Sequence, residues 1–148
     1  VVNKWDLVEK DGHTMNKFDK DIREDLKFLA YVPIMYVSAL TKKRIFKVLE
    51  LVDFVVEQHN RRINTAELNR VVNEAMMLNP LPGGGGKKIK IYYATQVRTA
   101  PPTFVFFANQ PDAVHFSYLR YLENALRRNF GFEGSPIRLL VRQKTGKD

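Results

Sequence analysis

The 148-residue chain contains no cysteine, which excludes disulfide frameworks, thiolate metal sites and cysteine nucleophiles but leaves the redox compartment open. No apolar run approaches the roughly 20 residues that span a bilayer, so no membrane role is expected. The first residues, Val1-Val2-Asn3-Lys4, are neither an initiator nor a signal sequence. The missing methionine predicts that the chain is part of a longer protein. Acidic residues are scarce in one half only: residues 1–60 hold ten Lys/Arg and ten Asp/Glu, whereas residues 61–148 hold fourteen and six. The net charge of +8 therefore sits wholly in the second half, where it attracts polyanions such as nucleic acid.

What is present is a globular composition. Hydrophobic residues at 45% and charged residues at 27% exclude a wholly disordered or collagen-like chain. Val1-Val2 runs into Asn3-Lys4-Trp5-Asp6 as a strand ends in a polar loop. Over residues 17–30, Phe18, Ile22, Leu26 and Leu29 recur at helical spacing, with Asn16 as the expected cap. A short apolar strand over 33–37 stops at Ser38-Ala39, and a helix follows with Ile45, Val48, Leu49, Val52, Val55 and Val56 on one face. Strand, helix, strand, helix predicts parallel pairing by a right-handed crossover, with both polar loops on one sheet edge.

A domain boundary is expected after residue 60, where the charge begins to climb. Asn64 and Glu67 form a capping box for a helix carrying Leu68, Val71, Val72, Ala75 and Met76. Asn79-Pro80-Leu81-Pro82 and Gly83 to Gly86 read as a mobile connection. Strands are expected over 88–96, with Ile89, Ile91 and Tyr93 facing one way, over 103–108 and over 137–141. A helix with Phe116, Leu119, Leu122, Leu126 and Phe130 is closed by Gly131. Residues 61–148 thus read α-β-β-α-β, a small α+β sandwich.

The most informative residues are Asn3-Lys4-Trp5-Asp6, an N-K-x-D motif. A carboxylate such as Asp6 accepts from both N1–H and the 2-amino group of guanine, a pairing adenine cannot offer, and a bidentate base contact discriminates by about 1–3 kcal/mol. Asn3 would bond across the loop and meet the other purine edge, and the aliphatic stem of Lys4 would cover the ring face. Trp5 receives no role. Ser38-Ala39 supplies a backbone N–H for guanine O6 on the same sheet edge, where nucleotide sites lie in open α/β sheets. The competing reading has Asp6 and Ser38 merely capping the following turns.

Asn3-Lys4-Trp5-Asp6 with Ser38-Ala39-Leu40 resembles the last two guanine-recognition motifs of a Ras-like P-loop GTPase. Lys90-Ile91-Tyr92-Tyr93-Ala94-Thr95-Gln96-Val97, Pro101-Pro102-Thr103-Phe104-Val105, His115-Phe116-Ser117-Tyr118 and Phe132-Glu133-Gly134-Ser135-Pro136-Ile137 resemble the C-terminal KH-like domain of the bacterial tandem GTPase family Der, also called EngA. The resemblance spans essentially the whole chain. It implies the C-terminal portion of an α/β P-loop GTPase domain over residues 1–60, followed by an α+β (α-β-β-α-β) KH-like domain over 61–148. It further implies a cytoplasmic GTPase that acts in large ribosomal subunit assembly, with GTP or GDP as ligand. The implied partners are large-subunit rRNA and the preceding GTPase domain of the same protein.

No G-x-x-x-x-G-K-[ST] occurs, and Gly83-Gly84-Gly85-Gly86-Lys87-Lys88 fails that pattern. The switch threonine and D-x-x-G are absent too, so Mg²⁺ and the phosphates belong to the intact parent, and no catalytic residue is assigned within this chain. Gly131-Phe132-Glu133-Gly134 has the letters of a KH G-x-x-G clamp but lies between a helix and a strand, which predicts a helix-terminating turn. The aromatics Tyr92, Tyr93, Phe104, Phe106 and Phe107 are expected in the core, and His115 at a turn. RNA contact is therefore expected through phosphate charge at Lys87, Lys88, Lys90, Arg98, Arg120, Arg127 and Arg128, with Arg138 and Arg142 as further cations. The alternatives to a GTPase part are a free-standing basic RNA-binding module and a protein-interaction domain whose sheet packs on a neighbouring GTPase domain.

Overall fold

A computed structural model describes residues 1–81 and 88–144; the glycine-rich connection expected at 83–86 and Lys87 lie outside the described residues. The chain divides into two compact units, Val1–Glu57 and Gln58–Asp148.

In the first unit, helix α1 (Thr14–Asp25) and most of helix α2 (Ile45–Asn60), whose last three residues belong to the second unit, accompany two extended segments that meet at one parallel bridge, Val2 with Tyr36. The expected parallel pairing is present but minimal, held by Val2 N–H to the Met35 carbonyl at 2.8 Å and Val37 N–H to the Val2 carbonyl at 2.9 Å. Helix α1 starts earlier than expected, and Asn16 is inside it rather than at its cap. Asp11 and Thr14 close that end instead. Asp11 Oδ1 accepts from the His13 N–H and the Thr14 hydroxyl, and Thr14 Oγ1 accepts the Asp11 N–H, a reciprocal arrangement that fixes the turn leading into the helix. These bonds hold the Asp11 carboxyl below its usual range, the Thr14 hydroxyl contributing most.

The apolar face of α2 is only partly covered. Ile45, Val48 and Val55 are half-buried, but Phe46 is 77% and Leu49 65% exposed, and Val52 and Val56 are exposed beside them. With Val1, Val37 and Ala39 this face borders an open apolar cleft of about 430 Å³. Contiguous exposed apolar surface of this kind marks an interaction face.

The second unit has helix α3 (Thr65–Leu78), strand β1 (Ile91–Arg98), strand β2 (Thr103–Ala108), helix α4 (Phe116–Phe130) and strand β3 (Arg138–Gln143). This is the α-β-β-α-β order read from the sequence. The sheet runs β1-β2-β3, antiparallel between β1 and β2 and parallel between β2 and β3. Asn64 caps α3 by accepting the Ala66 and Glu67 N–H groups, His115 caps α4, and Gly131 ends α4 at φ 87°, where a side chain would be strained. Leu68, Val71, Val72 and Ala75 of α3 meet Leu122 and Leu126 of α4 over Ala94, Phe104 and Phe106 of the sheet. Burying a side chain as large as Leu or Phe stabilises by about 1.5–3 kcal/mol.

Strand β1 departs from simple alternation. A register shift between Ile91 and Tyr93 leaves Ile91, Ala94 and Gln96 buried while Tyr93 is 42% exposed, the opposite of its expected side. One extra residue in a strand reverses the facing of all that follow. Three side-chain amides then sew the strand to its surroundings. Asn69 bonds Ala94 at both its N–H and its carbonyl. Gln96 accepts the Ile63 N–H and donates to the Arg61 carbonyl. Asn109 accepts the Lys90 N–H and donates to the Lys88 carbonyl.

Candidate functional site: a guanine-type loop pair and a basic domain

Lys4 adopts the left-handed conformation, φ 62° and ψ 32°, ahead of a 3-10 turn over Trp5–Leu7. That conformation costs a non-glycine residue about 1 kcal/mol, and here it turns the chain so that the side chains on both sides of Lys4 reach the 38–39 loop. The Ala39 N–H donates to Asn3 Oδ1 at 3.1 Å, and the Ser38 hydroxyl donates to Asp6 Oδ1 at 2.5 Å. Ser38 Oγ in turn accepts the Thr41 N–H at 3.1 Å. The two motifs read separately from the sequence are thus joined at two points, 36 and 32 residues apart in the chain.

Trp5, which the sequence left without a role, anchors this corner. It is buried, edge-on to Phe18 with ring centroids 5.3 Å apart, and 4.3 Å from the ring of Tyr36. The Tyr36 hydroxyl donates to Asp19 Oδ1 at 2.6 Å, tying the loop-bearing segment to α1. Burial and then the Asp19 carboxylate push the Tyr36 hydroxyl pKa well up, so it stays a donor at any physiological pH.

Asp6 is held below the ordinary carboxylate pKa, first by the Ser38 hydroxyl and then by its own backbone N–H, with smaller help from Lys10 and Lys4. It is therefore an anion. A carboxylate has about four lone-pair directions, and Ser38 with the Asp6 backbone N–H uses two, leaving acceptors for a donor pair on a ligand. The Ala39 N–H, the donor expected at guanine O6, is engaged by Asn3. Among the described residues no three His, Asp or Glu side chains converge as metal ligands.

The cations of the second unit are dispersed. Lys88 and Lys90 precede β1 and Arg98 ends it, roughly 26 Å from Lys90 at strand rise. Arg120 and Arg128 are exposed on α4. Arg127, among the expected phosphate contacts, has partners within the chain. Its guanidinium reaches Glu123 at 3.0 Å and donates to the carbonyls of Phe132 at 3.0 Å and Ser135 at 3.1 Å, so it holds the loop after α4 instead of facing solvent. That loop also receives Gln58, whose Oε1 accepts the Phe132 N–H at 3.0 Å. Gly131-Phe132-Glu133-Gly134 is accordingly a tied helix-ending turn. The aromatics divide. Phe104 and Phe106 are core, whereas Tyr92 is 40% exposed and Phe107 stacks on Tyr93 at 4.5 Å, which corrects the expectation that all five are buried.

A family model described as the KH-domain-like region of EngA bacterial GTPase enzymes, C-terminal, matches residues 62–142. The chain belongs to this family. Similar curated proteins include a GTPase Der of Desulfitobacterium hafniense, 60% identical over 97% of this chain and 33% of the relative. A GTPase Der of Desulforamulus reducens is 55% identical over 100% of this chain and 34% of its own length. One of Moorella thermoacetica is 57% identical over 97% of this chain and 33% of the relative. The chain spans about a third of the length of the curated relatives it matches. The family resemblance read from the sequence is therefore correct, and the second unit is an EngA-type KH-like domain. No helix among the described residues is long and apolar enough to cross a membrane.

Proposed function

We propose that residues 1–60 are the guanine-reading end of a GTPase domain and that the attached KH-like domain brings that GTPase to large-subunit rRNA during ribosome assembly. The observation that carries the reading is the double cross-link of Asn3 to Ala39 and of Asp6 to Ser38. It holds an ionised carboxylate and a backbone N–H beside one another at fixed spacing, the donor and acceptor set a guanine edge demands. On binding, Asp6 accepts from guanine N1–H and the 2-amino group, and the Ala39 N–H turns from Asn3 Oδ1 to guanine O6. Asn3 then offers its amide to the other purine edge while the Lys4 stem covers the ring. GTP or GDP is the ligand. Its phosphates and Mg²⁺ belong to parts of the intact protein that this sequence does not contain, and those parts carry hydrolysis. The exposed face of α2 suits coverage by the rest of such an α/β domain, in keeping with relatives about three times as long. The rRNA reading is supported by the cation excess of residues 61–148, with Lys88, Lys90, Arg98, Arg120 and Arg128 as phosphate contacts.

The test is Asp6→Asn in the full-length protein. An amide replaces one acceptor by a donor, which suits the 2-oxo edge of xanthine. Competition binding should show preference moving from GDP to xanthosine diphosphate, and undiminished GDP preference would overturn the assignment.

A further inference from the structure

We propose that the groove beside the start of β1 takes an unpaired nucleotide of an RNA strand, with its base against Tyr92 and the flanking phosphates on Lys88, Lys90 and Lys144. The proposal rests on the reading of the KH-like domain as an RNA-contacting unit and names its site. Two ammonium groups lie over one ring: Lys90 Nζ is 5.4 Å and Lys144 Nζ 4.9 Å from the Tyr92 centroid. They come from segments far apart in the sequence, one before β1 and one after β3. The ring they flank is 40% exposed, and its face opens to a base once these two flexible ammonium groups swing from the ring to the flanking phosphates.

The groove that Tyr92 helps to line has a volume of about 530 Å³ and a floor that includes Met76, Leu81 and Ile91, with Lys88 and Lys90 but no acidic residue among the described residues of its lining. Small-ligand clefts have volumes of about 300–1,000 Å³. The lysines are also fixed at their roots. Asn109 accepts the Lys90 N–H at 2.8 Å, donates to the Lys88 carbonyl at 2.9 Å and sends its own N–H to the Lys90 carbonyl at 3.1 Å. A strand with a free base presents alternating π-faces and phosphates, and it matches an exposed ring among cations above an apolar floor. A duplex hides its base faces and would use only the cations.

The full-length protein is tested for binding to a fluorescent 12-nucleotide uridine RNA and to a 12-base-pair RNA duplex. The single strand should bind more tightly. Tyr92→Ala should weaken it about five- to 150-fold, Tyr92→Phe should keep affinity within about twofold, and joint replacement of Lys90 and Lys144 by Ala should reduce the log–log salt slope by about 1.4. Crosslinks from 4-thiouridine RNA should map to residues 88–98, which holds whether or not the Ala variant folds well. Equal affinity for duplex, crosslinks confined elsewhere, or a folded Tyr92→Ala protein with unchanged affinity would each overturn the proposal. If Tyr92→Ala loses large-subunit binding but keeps the short RNA, the groove's partner is a protein, and the RNA assignment fails. If wild type cosediments with large subunits and Tyr92→Ala does so equally, the groove assignment fails while the ribosomal reading stands. Absence of binding to both RNA and subunits removes the two together.

Discussion

Asn69 on α3 pairs with Ala94 on β1 as a neighbouring strand would, its Nδ2 donating to the Ala94 carbonyl at 2.9 Å and its Oδ1 accepting the Ala94 N–H at 2.8 Å. Ala94 is fully buried, so neither group has water to turn to. β1 is an edge strand, and such edges expose unpaired backbone groups that template unwanted pairing. One side chain thus docks a helix and closes part of an edge.

Asn69→Ala should therefore cost about 2–6 kcal/mol, since two buried backbone groups each lose a partner at about 1–3 kcal/mol apiece. Chemical denaturation checks the magnitude. Hydrogen exchange checks the cause, because the Ala94 amide should lose protection before its neighbours in β2. An Ala94 amide as protected as in wild type would show that another group satisfies it.

Trp5 makes a separate prediction about the two units. It packs against Phe18 and Tyr36, all within Val1–Glu57. Truncating a buried Trp to Ala costs about 3–5 kcal/mol. Trp5→Ala should lower the unfolding midpoint of the domain carrying residues 1–57 and weaken GDP binding, because Asn3 and Asp6 lie two and one residues away. Exchange protection at Ala94, in the other unit, should not change. Parallel loss in both would mean that the units do not unfold independently.

The second unit was largely legible because its signals are periodic. Leu68, Val71, Val72 and Ala75 recur at helical spacing, Asn64 and Gly131 stand where caps belong, and β2 was read over 103–108, the span it occupies. Tyr93 was misread because a bulge adds one residue without any composition signal, and Tyr92 because its aromatic character outweighed an alternation that sets it opposite buried Ile91. The internal bonds of Arg127 were not legible because a cation beside Arg128 on a charged helix looks solvated until the loop it holds is placed in space. In the first unit, N-K-x-D and Ser38-Ala39 could be found as words, but their joining by Asn3 and Asp6 depends on the left-handed turn at Lys4. The amide closures of Asn69, Gln96 and Asn109 leave no trace of spacing at all, since each links elements distant in the chain.

Ser38 and Asp6 yield a pH prediction whose sign follows from the direction of the shift. The folded pKa of Asp6 lies below 3.8, chiefly through the Ser38 hydroxyl. A lowered carboxylate contributes stability that is present above its unfolded pKa and is lost as pH falls through the folded one. The Asp6–Ser38 contact should thus hold from neutral pH down past 3.8. Ser38→Ala should raise the Asp6 midpoint toward 3.8, read by titration of the Asp6 carboxyl carbon in NMR spectra. An unmoved midpoint would assign the shift to Lys10, Lys4 and the local N–H instead.

Arg127 and Arg128, adjacent on α4, separate structure from phosphate attraction. Arg127 donates to the Phe132 and Ser135 carbonyls and meets Glu123, and hydrogen bonds from a charged donor contribute about 1.5–3 kcal/mol. Arg127→Ala should therefore destabilise the KH-like domain by about 1.5–3 kcal/mol, with Glu123 left beside a missing cation. Arg128 is exposed, and surface substitutions of this kind change stability by no more than about 0.5 kcal/mol. Arg128→Ala should leave the melting transition in place, weaken RNA of any sequence alike, and flatten the salt dependence by about 0.7–0.9 in log–log slope. Measuring both variants for thermal unfolding and for salt-dependent RNA binding distinguishes the roles. If Arg127→Ala melts like wild type while its salt slope falls, its guanidinium faces phosphate in solution; if Arg128→Ala leaves the slope unchanged, α4 does not face the RNA.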